Sequence, residues 1–181
     1  MQSVMTLRTL FIALALPVIA FGKAQNTPKA TPPASGFRTE FLANLDEVQE
    51  KILALAEAIP AEKYSWRPTG DIRSISEVYM HIAGGNYFLA TFLGADAPKN
   101  DDDLEKIVTR KADVIAELKK SFDHLRAAAS RTTDLEKPVK MFGTSTTNRG
   151  VLVTVLSHLH EHLGQSIAYA RMNGVTPPWS R

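Results

Sequence analysis

Residues 148–174 read NRGVLVTVLSHLHEHLGQSIAYARMNG, and how this stretch folds decides the class of the protein. Leu152, Leu156, Leu159, Leu163 and Ile167 recur at intervals of three and four, the period of one helical face. Asn173-Gly174, ahead of Pro177 and Pro178, is a natural helix stop. At about 100° per residue His158 and His162 share a face, whereas His160 points about 160° away from the direction midway between them. Three histidines within five positions are therefore a pair and an outlier. The pair belongs to the row Val151, Val155, His158, His162, Gln165, Tyr169 and Met172, which borders the apolar stripe.

Three more segments carry helical stripes. Phe37, Phe41, Leu45, Val48, Ile52, Leu55 and Ile59 form one, ended by Pro60. A second starts at an N-cap at Ser74 or Ser76 and runs through Ile75, Val78, Ile82, Leu89 and Phe92 to Gly94. Its interior Gly84 and Gly85 each cost about 1 kcal/mol of helix propensity relative to Ala. That cost implies either a close approach to the backbone there or a kink. A third runs from about Thr109 to Arg131, with Val114, Leu118, Phe122 and Leu125 inward, and residues 101–108 form a separate helical turn or an extension of it. Residues 134–150, DLEKPVKMFGTSTTNRG, read as a loop, and no segment alternates convincingly as a strand. Four amphipathic helices imply an all-α four-helix bundle, a fold whose interior can assemble a metal site from facing helices.

Residues 1–24 are set apart from this domain. Arg8 precedes an apolar run, residues 10–21 (LFIALALPVIAF), that falls short of the roughly 20 apolar residues needed to span a bilayer. Gly22 and Ala24 offer a cleavage site before Gln25, so the expectation is a signal peptide and an exported protein, with an uncleaved membrane anchor as the alternative. Removing this segment leaves 19 basic against 19 acidic side chains, and no basic stripe with interleaved aromatics remains to suggest nucleic-acid binding. The absence of cysteine excludes disulfides, thiolate ligands and a cysteine nucleophile. Residues 25–36, QNTPKATPPASG, read as a flexible Pro-rich linker, and residues 37–181 as one domain without a stable membrane span.

Two neutral imidazoles four apart can share a divalent ion, but firm binding needs a third ligand. His81 supplies it best, since its row on the second helix, Ser74, Val78, His81, Gly85, Phe88 and Phe92, is otherwise apolar or small. His124 lies off its helix stripe and is expected in solvent. Two protease patterns overlap the histidine cluster. H-E-x-x-H fails because position 164 is glycine. H-x-x-E-H fits residues 158–162, but no acidic residue follows to complete that ligand set.

The segment from His158 to Ser180, with H-x-x-x-H, then Gly164-Gln165 and Arg171-x-x-Gly174, resembles the C-terminal signature of the DinB-like superfamily, which includes YfiT-type metal-dependent hydrolases. Tyr64-Ser65-Trp66-Arg67-Pro68 and Ser76-Glu77-Val78 leading to His81 resemble it upstream, so the likeness spans residues 37–181. It implies an up-down-down-up-type bundle, a divalent metal, zinc or nickel, on His81, His158 and His162, and a homodimer. Many relatives carry histidine and arginine where this chain has Glu161 and Leu163. Glu77 and Gln165 are candidates to orient the ligands from behind, and Trp66 and Arg67 to cover one end of the bundle or touch substrate. The implied activities are hydrolysis by metal-activated water on an unknown small-molecule substrate, or transfer of a small thiol to an electrophile. A non-catalytic metal- or ligand-binding bundle is the alternative. No residue is identified as catalytic beyond the metal ligands.

Overall fold

The structure, a computed structural model, describes residues 36–98 and 103–180. The expected signal peptide and nearly all of the linker lie outside them. Among the described residues four long helices dominate: α1 (Phe37–Ala58), α2 (Ile75–Thr91), α4 (Lys111–Arg131) and α5 (Asn148–Met172), with a single turn, α3 (Leu104–Ile107), between α2 and α4. Both α1 and α2 pack principally against α4 and α5, which gives the ring order α1, α4, α2, α5. Sequential helices α1 and α2 thus sit on a diagonal, and α2 lies beside α5. That adjacency lets histidines 77 and more positions apart in sequence meet. No helix among the described residues is long and apolar enough to cross a membrane.

The stripes read from the sequence become the core. Phe41, Leu45, Val48, Ile52 and Leu55 of α1 are buried against Val114, Leu118, Phe122 and Leu125 of α4 and Val151, Leu152, Val155 and Leu159 of α5. Helix α1 stops at Ala58 because Ile59, which precedes a proline, is forced into an extended conformation. Lys111 Nζ then donates to the freed carbonyls of Glu57 and Ile59, at 2.7 Å each. Gly174 ends the last turn beyond α5 with φ +76°, which a residue with a Cβ adopts only at a cost.

Two expectations need correction. Residues 134–150 are not simply a loop: strands β1 (Pro138–Met141) and β2 (Thr144–Thr147) pair as an antiparallel hairpin in the register Pro138 with Thr147 and Met141 with Thr144. In β1 only Val139 and Met141 alternate, and β2 has no apolar side chain, so four-residue strands give too short a pattern for the sequence to display. Thr147, the last residue of β2, is also the N-cap of α5, accepting from Gly150 N at 3.2 Å. The hairpin therefore feeds directly into the helix that bears the histidine pair. His124, expected in solvent, is half-buried, its ring edge-on to Tyr87 with centroids 5.3 Å apart.

Candidate metal centre

His81 projects from α2 towards α5, where His158 and His162 occupy successive turns. One ring nitrogen from each of the three lies within 4.8 Å of the others, and the ring centroids are 4.6 to 5.2 Å apart. His160 is exposed on the opposite side of α5 and takes no part.

Gly85 makes the close approach possible. A Cβ at that position would lie 2.3 Å from His158 Cε1, an overlap no relaxed structure tolerates. The propensity lost at position 85 is thus the cost of seating the imidazole against the α2 backbone. Gly84 differs, since a Cβ there would meet nothing within 4 Å among the described residues.

Two of the three rings are oriented from behind. His81 Nδ1 lies 3.0 Å from Glu105 Oε1, and because a carboxylate only accepts, the nitrogen donates. In the neutral ring this leaves the Nε2 lone pair facing inward. His162 Nδ1 lies 2.9 Å from Gln165 Oε1, while Gln165 Nε2 donates to the Tyr169 hydroxyl at 3.1 Å. Trp66 closes that chain with its ring edge-on to Tyr169 at 5.4 Å. Arg73 in turn donates to the second oxygen of Glu105 at 2.8 Å.

Glu77, considered as a ligand-orienting group, is engaged elsewhere. Its carboxylate accepts from Ser74 N at 2.7 Å, completing a capping box at the start of α2, and from Arg67 at 2.7 Å. The acceptor on His81 is instead Glu105, from the short helix α3. No spacing rule links residues 24 positions apart on different elements, so sequence reasoning missed it. Its only sequence signal was the possibility of a separate helical turn over residues 101–108.

The electrostatics favour neutral rings at His81 and His158. Burial lowers the His158 pKa to about 4, helped by the neighbouring imidazoles and by Arg73. Burial and then Arg73 lower that of His81, against the opposing pull of Glu105. Neutral imidazole is the form that ligates a metal.

The nitrogens themselves provide a test of fit. His81 Nε2 and His158 Nε2 are 3.4 Å apart, and His158 Nδ1 is buried with no hydrogen-bond partner among the described residues. A tetrahedral ion with metal–nitrogen bonds of about 2.0–2.1 Å holds its ligand nitrogens about 3.4 Å from one another. Converging lone pairs at this spacing repel unless a cation or proton lies among them. The donor set therefore fits a divalent ion held by His81, His158 and His162.

Beside His81, the member of the trio that borders it, opens a cleft of about 500 Å³, bounded also by Gly84, Gly85, Phe88, Leu104 and Glu105. A helical bundle with a three-histidine cluster at the edge of an open cleft defines the class: a protein able to bind a metal ion between two helices. Comparison with known proteins agrees with that class. Residues 44–166 match the family model of the DinB superfamily, and the chain belongs to that superfamily. Its fold is similar to that of a DinB-like protein from Bacillus cereus, at TM-score 0.70 and 19% identity over 77% of this chain and 95% of that one. A DinB-like protein from Bacillus subtilis is similar at TM-score 0.62 and 22% identity, over 76% of this chain and 93% of that one. No curated protein matches the chain.

Proposed function

We propose that this chain is an exported, divalent-metal-dependent enzyme of the hydrolase type, with zinc or nickel held by His81, His158 and His162. The observation that carries the reading is the convergence of three imidazole nitrogens within 4.8 Å beside an open cleft. Imidazole ligands suit zinc and nickel, and three protein ligands leave a coordination position free, as in catalytic rather than structural sites. Such an ion supplies Lewis-acid polarisation and a nucleophile near neutral pH.

The protein's own groups prepare that chemistry. Glu105 fixes the His81 tautomer, Gln165 orients His162, and the missing side chain at Gly85 admits His158. The Glu105 carboxylate also borders the cleft, with one oxygen on His81 and the other on Arg73. A non-catalytic module would be favoured by a protein carboxylate closing the remaining position. Glu77, the nearest candidate in sequence, spends both oxygens on the α2 cap and Arg67. Export enters the reading through Arg8 and the apolar run at residues 10–21, and N-terminal sequencing of the protein recovered outside the cytoplasm tests it.

The primary experiment is metal analysis of residues 25–181 produced without a histidine tag, alongside His81→Ala and His160→Ala. About one equivalent of metal, lost in His81→Ala and kept in His160→Ala, is the expected result. No bound metal in the unaltered chain, even after zinc or nickel is added, removes the metalloenzyme reading. Turnover of esters or amides by the loaded chain alone supports hydrolysis. Turnover only with a small thiol and an electrophile identifies a transferase.

A further inference from the structure

The cleft beside the histidines has a second, chemically different end. His81, Gly84, Gly85, Phe88 and Phe92 fall on one face of α2, running onward to the residue that caps it. Gly84 leaves an open floor next to His81, and Phe88 lines the same cleft further along. Phe88 is nonetheless 48% exposed. It meets Phe92 edge-on at 5.2 Å, and both rings meet Phe142 from the tip of the β-hairpin, at 5.9 and 6.0 Å.

Phe142 is the informative member of this trio. It is 69% exposed and has φ +51°, followed by Gly143 at φ +80°. Two successive positive φ angles define a tight hairpin turn whose first position favours Asn, Asp or Gly. A bulky residue there is strained, and its exposed ring recovers little through burial. Backbone strain spent on presenting an apolar ring to solvent, against a ring that lines the same cleft as His81, points to a ligand rather than to folding.

We propose that Phe88, Phe92 and Phe142 form an apolar subsite, and that the ligand of this cleft is an amphipathic small molecule. One end carries a metal-ligating oxygen or sulfur, and the other an uncharged alkyl or aryl group. His81 and Phe88 are two helical turns apart, so the two ends are separated by about 10 Å. The inference rests on the metal reading above and adds the substrate class to it.

Titration calorimetry on the zinc-loaded chain compares acetohydroxamate, a bare chelator, with 4-phenylbutyrohydroxamate, which adds a ring on a flexible tether. The phenyl compound is expected to bind about 10-fold more tightly or better, since each factor of ten needs only about one partly buried ring's worth of apolar contact. Phe88→Ala is expected to abolish the gain while leaving acetohydroxamate affinity and metal content unchanged. Phe142→Asn, which suits the positive φ, is expected to raise the melting temperature and reduce the gain, an outcome that a purely structural role for the ring does not produce. Equal affinity for the two hydroxamates, or a gain that survives both substitutions, overturns the subsite while leaving the metal centre intact. A chain that takes up no zinc overturns the metal reading and the two-ended ligand together, and metal analysis identifies that failure before any hydroxamate is added.

Discussion

Helices α1 and α4 bury continuous apolar stripes, whereas α2 and α5 interrupt theirs with His81, Gly84 and Gly85 on one and His158, His162 and Gln165 on the other. All four belong to one bundle and draw on one core. The difference shows how a small domain carries a site. Helices α1 and α4 contribute burial without supplying a ligand, while α2 and α5 contribute both burial and the histidines, so the shared core offsets the propensity and desolvation losses at the site.

The largest expected contrast comes from truncating the packing pair. Ile52→Ala on α1 removes a fully buried side chain and is expected to cost about 2–5 kcal/mol in denaturant unfolding, with unchanged metal content in the folded fraction. If metal content fell with it, the division of labour between the helix pairs would be wrong. Gly85→Ala should do the reverse. Its Cβ displaces His158, so metal affinity is expected to fall about 10- to 100-fold while the bundle still folds, as read by metal competition and circular dichroism.

A smaller effect concerns the start of α2. Burial pushes the Glu77 pKa up, but the bonds from Ser74 and Arg67 outweigh it and hold the carboxyl below its usual value. A depressed carboxylate pKa stabilises the fold above the unfolded value and loses that contribution as pH falls through the folded one. Glu77→Ala is therefore expected to cost about 1 kcal/mol at pH 7, with the gap to the parent chain closing below pH 4.5 in thermal melts. The smallest prediction sharpens the comparison between adjacent glycines. Gly84→Ala meets no neighbour and is expected to stabilise α2 by up to about 1 kcal/mol without changing metal affinity.

Much of this was legible in the chain. The long helices, the Pro60 and Gly174 stops, and the pairing of His158 with His162 rather than His160 follow from a period of 3.6 residues. The site was only half legible. Gly84-Gly85 signalled that something came close or that the helix was kinked. Whether position 85 or 84 mattered depended on which face of α2 met α5. The hairpin is hard to read because its strands are only four residues long, β2 is wholly polar, and its turn places phenylalanine where asparagine would have announced it.

Local periodicity is written into neighbouring residues, so the sequence by itself determined the helices, their apolar faces and the histidines able to converge. Everything that depends on contact between distant elements was decided only by the tertiary structure. Glu105 rather than Glu77 stands behind His81, His158 rests on Gly85, and Phe142 reaches Phe88. Each of these is a meeting of side chains from separate elements, and packing the bundle brings them within a few ångströms by geometry that no spacing along one helix encodes.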